Sequence, residues 1–218
     1  MKYSDYADGV NGQLAHRKKE LTDLRLSSKL SDCSKMTRRA IFLIAYSHWE
    51  GFIRFLCTET LKYINGLNLK YCELYPAFSA IAIYQSLKSS IPETEFGQTQ
   101  LLMKYICDDF SKDIEQPFCV GKTVKWVDTR ANLKKEALEN ILALFGITKE
   151  DIQLYEFVSN GWVDSFVNKR NQIGHGGLDA VDDEEFDVAV DRVISLLDAF
   201  SATFLDYVQE KKYLRIVK

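Results

Sequence analysis

The chain has 218 residues, 46% of them hydrophobic and 27% charged, with a net charge of −3. That composition fits one folded domain with a real core and argues against both a disordered polymer and a membrane-embedded protein. It also excludes a global basic field, so any nucleic-acid site must be local or assembled from two subunits.

The first ten residues, MKYSDYADGV, lack the cationic-then-apolar layout of a secretory leader. The longest strongly apolar run, 40–46, is far too short to span a bilayer. A cytoplasmic protein with no membrane association is the expectation. Residues 13–30 read as a charged amphipathic helix with Leu14, Leu21, Leu24 and Leu30 as its stripe. Residues 34–65 form the clearest long helix, stopped by Asn65-Gly66-Leu67-Asn68. Two shorter helices are predicted over 76–90 and 96–115, and the β-branched run 117–127 predicts extended chain.

Asp128 then reads as the N-cap of a helix over 129–145 that ends at Gly146. Thr148 and Asp151 resemble a capping box that opens a short helix. A helix over 161–173 stops in the cluster Gly174, Gly176, Gly177. Asp182 and Glu185 cap a final helix over about 183–212, with Phe186, Val190, Val193, Leu197, Phe200, Phe204 and Val208 recurring at three or four. The fold class is therefore all-α: a helical bundle, with 66–127 inserted between an N-terminal long hairpin and a C-terminal one. The five cysteines are widely spaced and form no C-x-x-C pair, so they read as reduced, mostly buried thiols with no zinc site.

The chemistry concentrates in GWVDSFVNKRNQIGHGG, 161–177. At about 100° per residue, Val163, Phe166, Val167 and Ile173 share one side, and Arg170 falls within that apolar stripe. A guanidinium there must pair structurally or face a site, because an unpartnered buried charge is too costly. Asn171 and His175 are four apart and share a face, and the glycines let the chain turn after His175. Arg, Asn and His suit RNA cleavage by internal attack of the 2′-OH. Histidine exchanges protons near neutral pH, arginine offers a planar fork to phosphate, and asparagine orients either. That chemistry needs no metal and no cofactor. One such histidine per chain is too few for separate acid and base, so the partner histidine would come from a second subunit. From spacing alone, the same residues read equally as a buried arginine beside a helix-capping histidine.

Three segments carry a resemblance. Arg170-Asn171-Gln172-Ile173-Gly174-His175 resembles the RN-x3-H motif of HEPN domains, and Trp162–Val167 resembles its approach helix. Ala45–Ile53, with Glu50-Gly51-Phe52, resembles the E-G-F segment of prokaryotic HEPN-like nucleases of the MAE and RiboL-PSP types. Val127–Leu133 is similar to the same families. The resemblance implies a dimeric helical endoribonuclease that cuts RNA in a toxin–antitoxin or anti-phage setting, where an antitoxin or other defence protein is a possible partner. It assigns catalytic roles to Arg170 and His175 and a supporting role to Asn171. A HEPN-like module that binds RNA, nucleotide or protein without turnover is the alternative.

Two polar residues interrupt apolar faces of the long helix. Glu50 reads as the carboxylate that holds the fork of Arg170, and His48 as a supporting or simply packed residue. His16, among Arg17, Lys18 and Lys19, reads as a solvated or RNA-steering face. Gly121-Lys122-Thr123 lacks the upstream glycine of a phosphate loop, and Asp182–Glu185 is explained by capping rather than metal binding. Trp49 and Trp126 read as core before they read as base-stacking platforms.

Overall fold

The computed structural model describes residues 1–30, 35–87, 91–120, 127, 129, 132–177 and 181–216. Asp128, Arg130, Ala131, Cys33, Trp126 and the Gly121-Lys122-Thr123 run lie outside those residues. Among the described residues the fold is all-α, as the sequence implies, and its β features are two isolated bridges, Lys70–Pro117 and Leu74–Leu214. No helix there is long and apolar enough to cross a membrane.

Three long helices make the frame: α1 (Tyr3–Leu30), α2 (Lys35–Asn65) and α9 (Asp183–Gln209). Each packs against the other two, and α8 (Trp162–Gly174) lies on α2. The seven predicted apolar positions of α9, from Phe186 to Val208, are all buried. At about 1.5–3 kcal/mol per large side chain, that stripe alone is a major part of the driving force. The Asp182 side chain accepts the Glu185 N–H at 2.7 Å and starts the helix. Because α2 is covered on several sides, residues as far apart around it as Tyr46, His48 and Trp49 are all buried.

Four boundaries differ from expectation, the first two for a tertiary reason. Helix α1 begins ten residues early because Tyr6 and Val10 are core residues, with Tyr6 Oη 2.8 Å from Thr60 Oγ1. The helix expected over 129–145 is α6 (Lys135–Phe145). Its first N–H donates to Asp164 Oδ1 at 2.8 Å, and the Leu133 N–H before it donates to Tyr46 Oη at 2.8 Å. The region 76–115 divides into a 3-10 turn at Pro76–Phe78, then α3 (Ser79–Leu87), α4 (Glu95–Asp108) and α5 (Phe110–Asp113), with a break at Asp109. The extended stretch expected over 117–127 has only the Pro117 bridge among its described residues. Of the four described cysteines only Cys57 is buried, where desolvation pushes its thiol up.

Gly146 ends α6 at φ +68, and a Cβ there would come within 2.5 Å of the Tyr75 ring, so both backbone and packing require glycine. The Thr148–Asp151 capping box forms around the 3-10 turn Lys149–Asp151. The one-turn α7 (Glu156–Ser159) then leads into α8.

Candidate functional site

Helix α8 is fastened to α2 by aromatic packing. The Phe166 ring meets Phe42 edge-on at 4.8 Å, and Trp162 stacks on Phe166 at 5.0 Å. Arg170 follows Phe166 by one turn on the same stripe, so its side chain reaches the next aromatic of α2. The guanidinium carbon lies 4.4 Å from the centroid of the Tyr46 ring. Arg170 Nη1 donates to Asn171 Oδ1 at 2.7 Å and reaches Asn132 Oδ1 at 3.4 Å. Arg170 and Asn171 are half-buried.

The helix closes one turn later. His175 is the C-cap residue, and its N–H donates to the Asn171 carbonyl at 3.0 Å. Gly176 adopts φ +84, and the Gly177 N–H returns to the Gln172 carbonyl at 2.8 Å. Arg39 of α2 pins this turn by donating to the Gly177 carbonyl at 3.1 Å. The imidazole of His175 is exposed and has no hydrogen-bond partner among the described residues. It stands one turn above Asn171 on the same face.

Glu50 does not pair with Arg170. Its Oε1 accepts from Arg54 Nη2 at 2.9 Å and from Thr129 Oγ1 at 2.5 Å. Arg170 instead lies over the ring of Tyr46, one turn before Glu50 on α2. Burial pushes the Tyr46 phenol up to about 12, against its hydrogen bond from Leu133, with the Glu50 carboxylate raising it further and Arg170 opposing. Tyr46 therefore joins three parts of the site. Its ring carries Arg170, its hydroxyl holds the segment that presents Asn132, and its edge borders Glu50.

His48 belongs to another face of α2. It is buried against α1, with Nδ1 3.3 Å from Arg17 Nη1. Its Nε2 lies 3.2 Å from Glu20 Oε2, off the line of a hydrogen bond. Burial pulls its pKa down, Glu20 opposes, and Arg17 and His16 add to the fall. The Arg17 guanidinium lies over the Phe52 ring and presses on Gly51, where a Cβ would stand 3.3 Å from Nη1. His48, expected as a supporting or simply packed residue, thus packs against α1.

Sequence reasoning missed Tyr46, Arg54, Thr129 and Asn132 as site residues. The signal was available: Tyr46, Glu50 and Arg54 repeat at four along α2, and Thr129 and Asn132 fall in the 127–133 segment already singled out. A half-buried guanidinium, two asparagine amides and an exposed imidazole are groups whose chemistry suits binding an anion and exchanging a proton. No group of three or more His, Cys, Asp or Glu among the described residues is arranged to hold a metal ion. An open cleft of about 680 Å³ among Tyr75, Phe145 and Tyr207 includes none of the motif residues.

No curated protein and no solved structure matches the chain. Residues 13–206, running from α1 into α9 and including every residue of this face, match RiboL-PSP-HEPN, and the chain belongs to that family.

Proposed function

We propose that the protein is a metal-independent endoribonuclease with Arg170 and His175 as catalytic residues and Asn171 in support. Membership of the RiboL-PSP-HEPN family suggests nuclease or RNA-related function. The observation that carries the finer reading is the guanidinium of Arg170, seated on Tyr46 and oriented by Asn171 and Asn132, on the helix whose C-cap bears an exposed imidazole. In the proposed reaction a ribose 2′-OH loses its proton to a base and its oxygen attacks the adjacent phosphorus. The P–O5′ bond breaks, and an acid returns a proton to the leaving 5′-oxygen. The products are a 2′,3′-cyclic phosphate and a 5′-OH. His175 is suited to either proton step, and Arg170 to the charge that builds on the phosphorane oxygens.

The second proton carrier would be His175 of the partner subunit, with the 161–177 segments near a two-fold axis. Glu50 is proposed to act at a distance, by fixing Thr129 and Arg54 beside the segment that presents Asn132. A cytoplasmic toxin or effector in a toxin–antitoxin or anti-phage system, held by an antitoxin or another defence protein, is the setting this activity would suit.

The test is to incubate purified protein with total RNA and EDTA, comparing wild type with His175→Ala. Cleavage that persists in EDTA, leaves cyclic phosphate ends and disappears with His175→Ala is the expected result. Cleavage that stops with chelator and returns with Mg²⁺ would sink the mechanism. A second reading, RNA binding without turnover, is favoured by the lack of any group orienting the His175 ring among the described residues. RNA retention without products in the same assay would select it.

A further inference from the structure

Helix α9 ends at Gln209, and the residues after it stay on the bundle. Lys211 takes the left-handed conformation at φ +55, a position glycine fills at lower cost. The Lys212 N–H returns to the Tyr207 carbonyl at 3.0 Å, and Leu214 bridges to Leu74. On either side of that bridge, the Tyr75 N–H donates to the Tyr213 carbonyl at 2.7 Å and the Arg215 N–H to the Glu73 carbonyl at 2.9 Å. The cleft of about 680 Å³ lies between this segment and the end of α6. Tyr75, Phe145, Ile147, Tyr207 and Leu214 give it apolar walls, with the Phe145 and Tyr207 rings edge-on at 5.9 Å. Two polar features of it lack partners among the described residues. Tyr207 is 2% exposed, and its buried hydroxyl has no hydrogen-bond partner there, a rare condition for a buried O–H. The rim also carries three cations against two carboxylates. Lys212 lies 3.5 Å from Asp151 and 3.2 Å from Glu210, whereas Lys211 and Arg215 have no carboxylate partner there.

We propose that this cleft binds a small organic anion, with an apolar ring among Tyr75, Phe145 and Tyr207 and its negative group at Lys211 and Arg215. An acceptor on the ligand would also satisfy the Tyr207 hydroxyl. Size, lining and charge each support that occupant. The volume is that of a site for one small molecule, and such sites are mostly apolar with a few polar groups to orient the ligand. The positive excess is local, on a chain whose net charge is −3, so the rim favours an anion over a cation or a neutral ring. Backbone hydrogen bonds hold the wall in place, which lowers the ordering cost of binding. Half of the lining residues, from Tyr207 to Ile216, lie beyond the residues 13–206 that match the family. The site is therefore outside what family membership describes, and it does not depend on RNA cleavage.

Fluorescence titration of the full chain with 8-anilinonaphthalene-1-sulfonate tests it, because that probe joins an apolar ring system to a single anion. N-phenyl-1-naphthylamine, the same rings without the sulfonate, is the neutral comparison. The sulfonate should saturate one site per chain and raise the melting temperature, as a ligand of the native state does. Lys211→Gln combined with Arg215→Gln changes two exposed side chains. It should weaken the sulfonate about three- to tenfold and leave the neutral amine unaffected. Tyr207→Phe should weaken the sulfonate about two- to tenfold. It should not lower the melting temperature, because the hydroxyl it removes has no partner to lose among the described residues. A sulfonate that does not saturate, that lowers the melting temperature, or that binds either variant as tightly as wild type overturns the proposal.

Discussion

Replacing Arg170 with alanine should remove catalysis at a small cost in stability. Two contacts are lost. One is the guanidinium over the Tyr46 ring at 4.4 Å, worth about 1 kcal/mol at a half-buried site. The other is the pair of hydrogen bonds to Asn171 and Asn132, worth roughly 0.5–1 kcal/mol net because the half-exposed amides regain water. The penalty of about 3–5 kcal/mol for breaking a buried ion pair does not apply. Glu50 keeps Arg54 and Thr129 whether or not Arg170 is present. The sum is about 1–2 kcal/mol, or roughly 2–8 °C in Tm for a chain of this length. His175→Ala, at an exposed cap with no side-chain partner among the described residues, should shift stability by less than about 0.5 kcal/mol. Both variants should lose cleavage. The assay is calorimetric melting beside cleavage rates. If Arg170→Ala loses more than about 4 kcal/mol, the arginine is holding a buried charge that the geometry does not contain. If His175→Ala melts as low as Arg170→Ala, the histidine is structural.

Tyr46→Phe keeps the ring under Arg170 but deprives the fully buried Leu133 of the acceptor for its N–H. It should cost about 1–3 kcal/mol and speed hydrogen exchange at the Leu133 amide, and unchanged exchange would show that the hydroxyl is not the anchor. Gly146→Ala forces a Cβ into the Tyr75 ring at a left-handed φ and should cost roughly 2–4 kcal/mol; a melt within experimental error of wild type would contradict that. His48 has a folded pKa below its ordinary value, so the unfolded chain takes up the proton first. Its contribution is intact above about pH 6.5 and is lost as pH falls below that towards the folded value. His48→Gln should flatten the fall in Tm between about pH 7 and pH 5, and an unchanged slope would place the acid sensitivity elsewhere.

The parts of the fold that depend on periodicity were legible in the residues. The α9 stripe, the α8 stripe and the two caps at Thr148 and Asp182 are local patterns, and the structure reproduces them. What was not legible depends on who meets whom. No local rule says that Asp164 will cap α6 or that Tyr46 will take the Leu133 amide, and these contacts move the start of α6 from 129 to 135. The Arg170–Glu50 pair failed for the same reason. A helical wheel assigns the two charges to faces, but not that Arg170 takes the Tyr46 ring while Glu50 takes Arg54 and Thr129. His48, read as supporting or simply packed, lies on a face of α2 that points to α1 rather than α8, where it meets Arg17 and Glu20.

The seat of Arg170 on a ring also decides how far the site is felt. A cation neutralised by a carboxylate behaves as a dipole, and its pull on a phosphate fades within a few ångströms. A cation resting on a π-face keeps its monopole. On a chain whose net charge is −3, that monopole extends over roughly 8–10 Å of electrolyte at physiological ionic strength. A polyanion approaching this face would meet a guanidinium with no ion pair to break among the described residues.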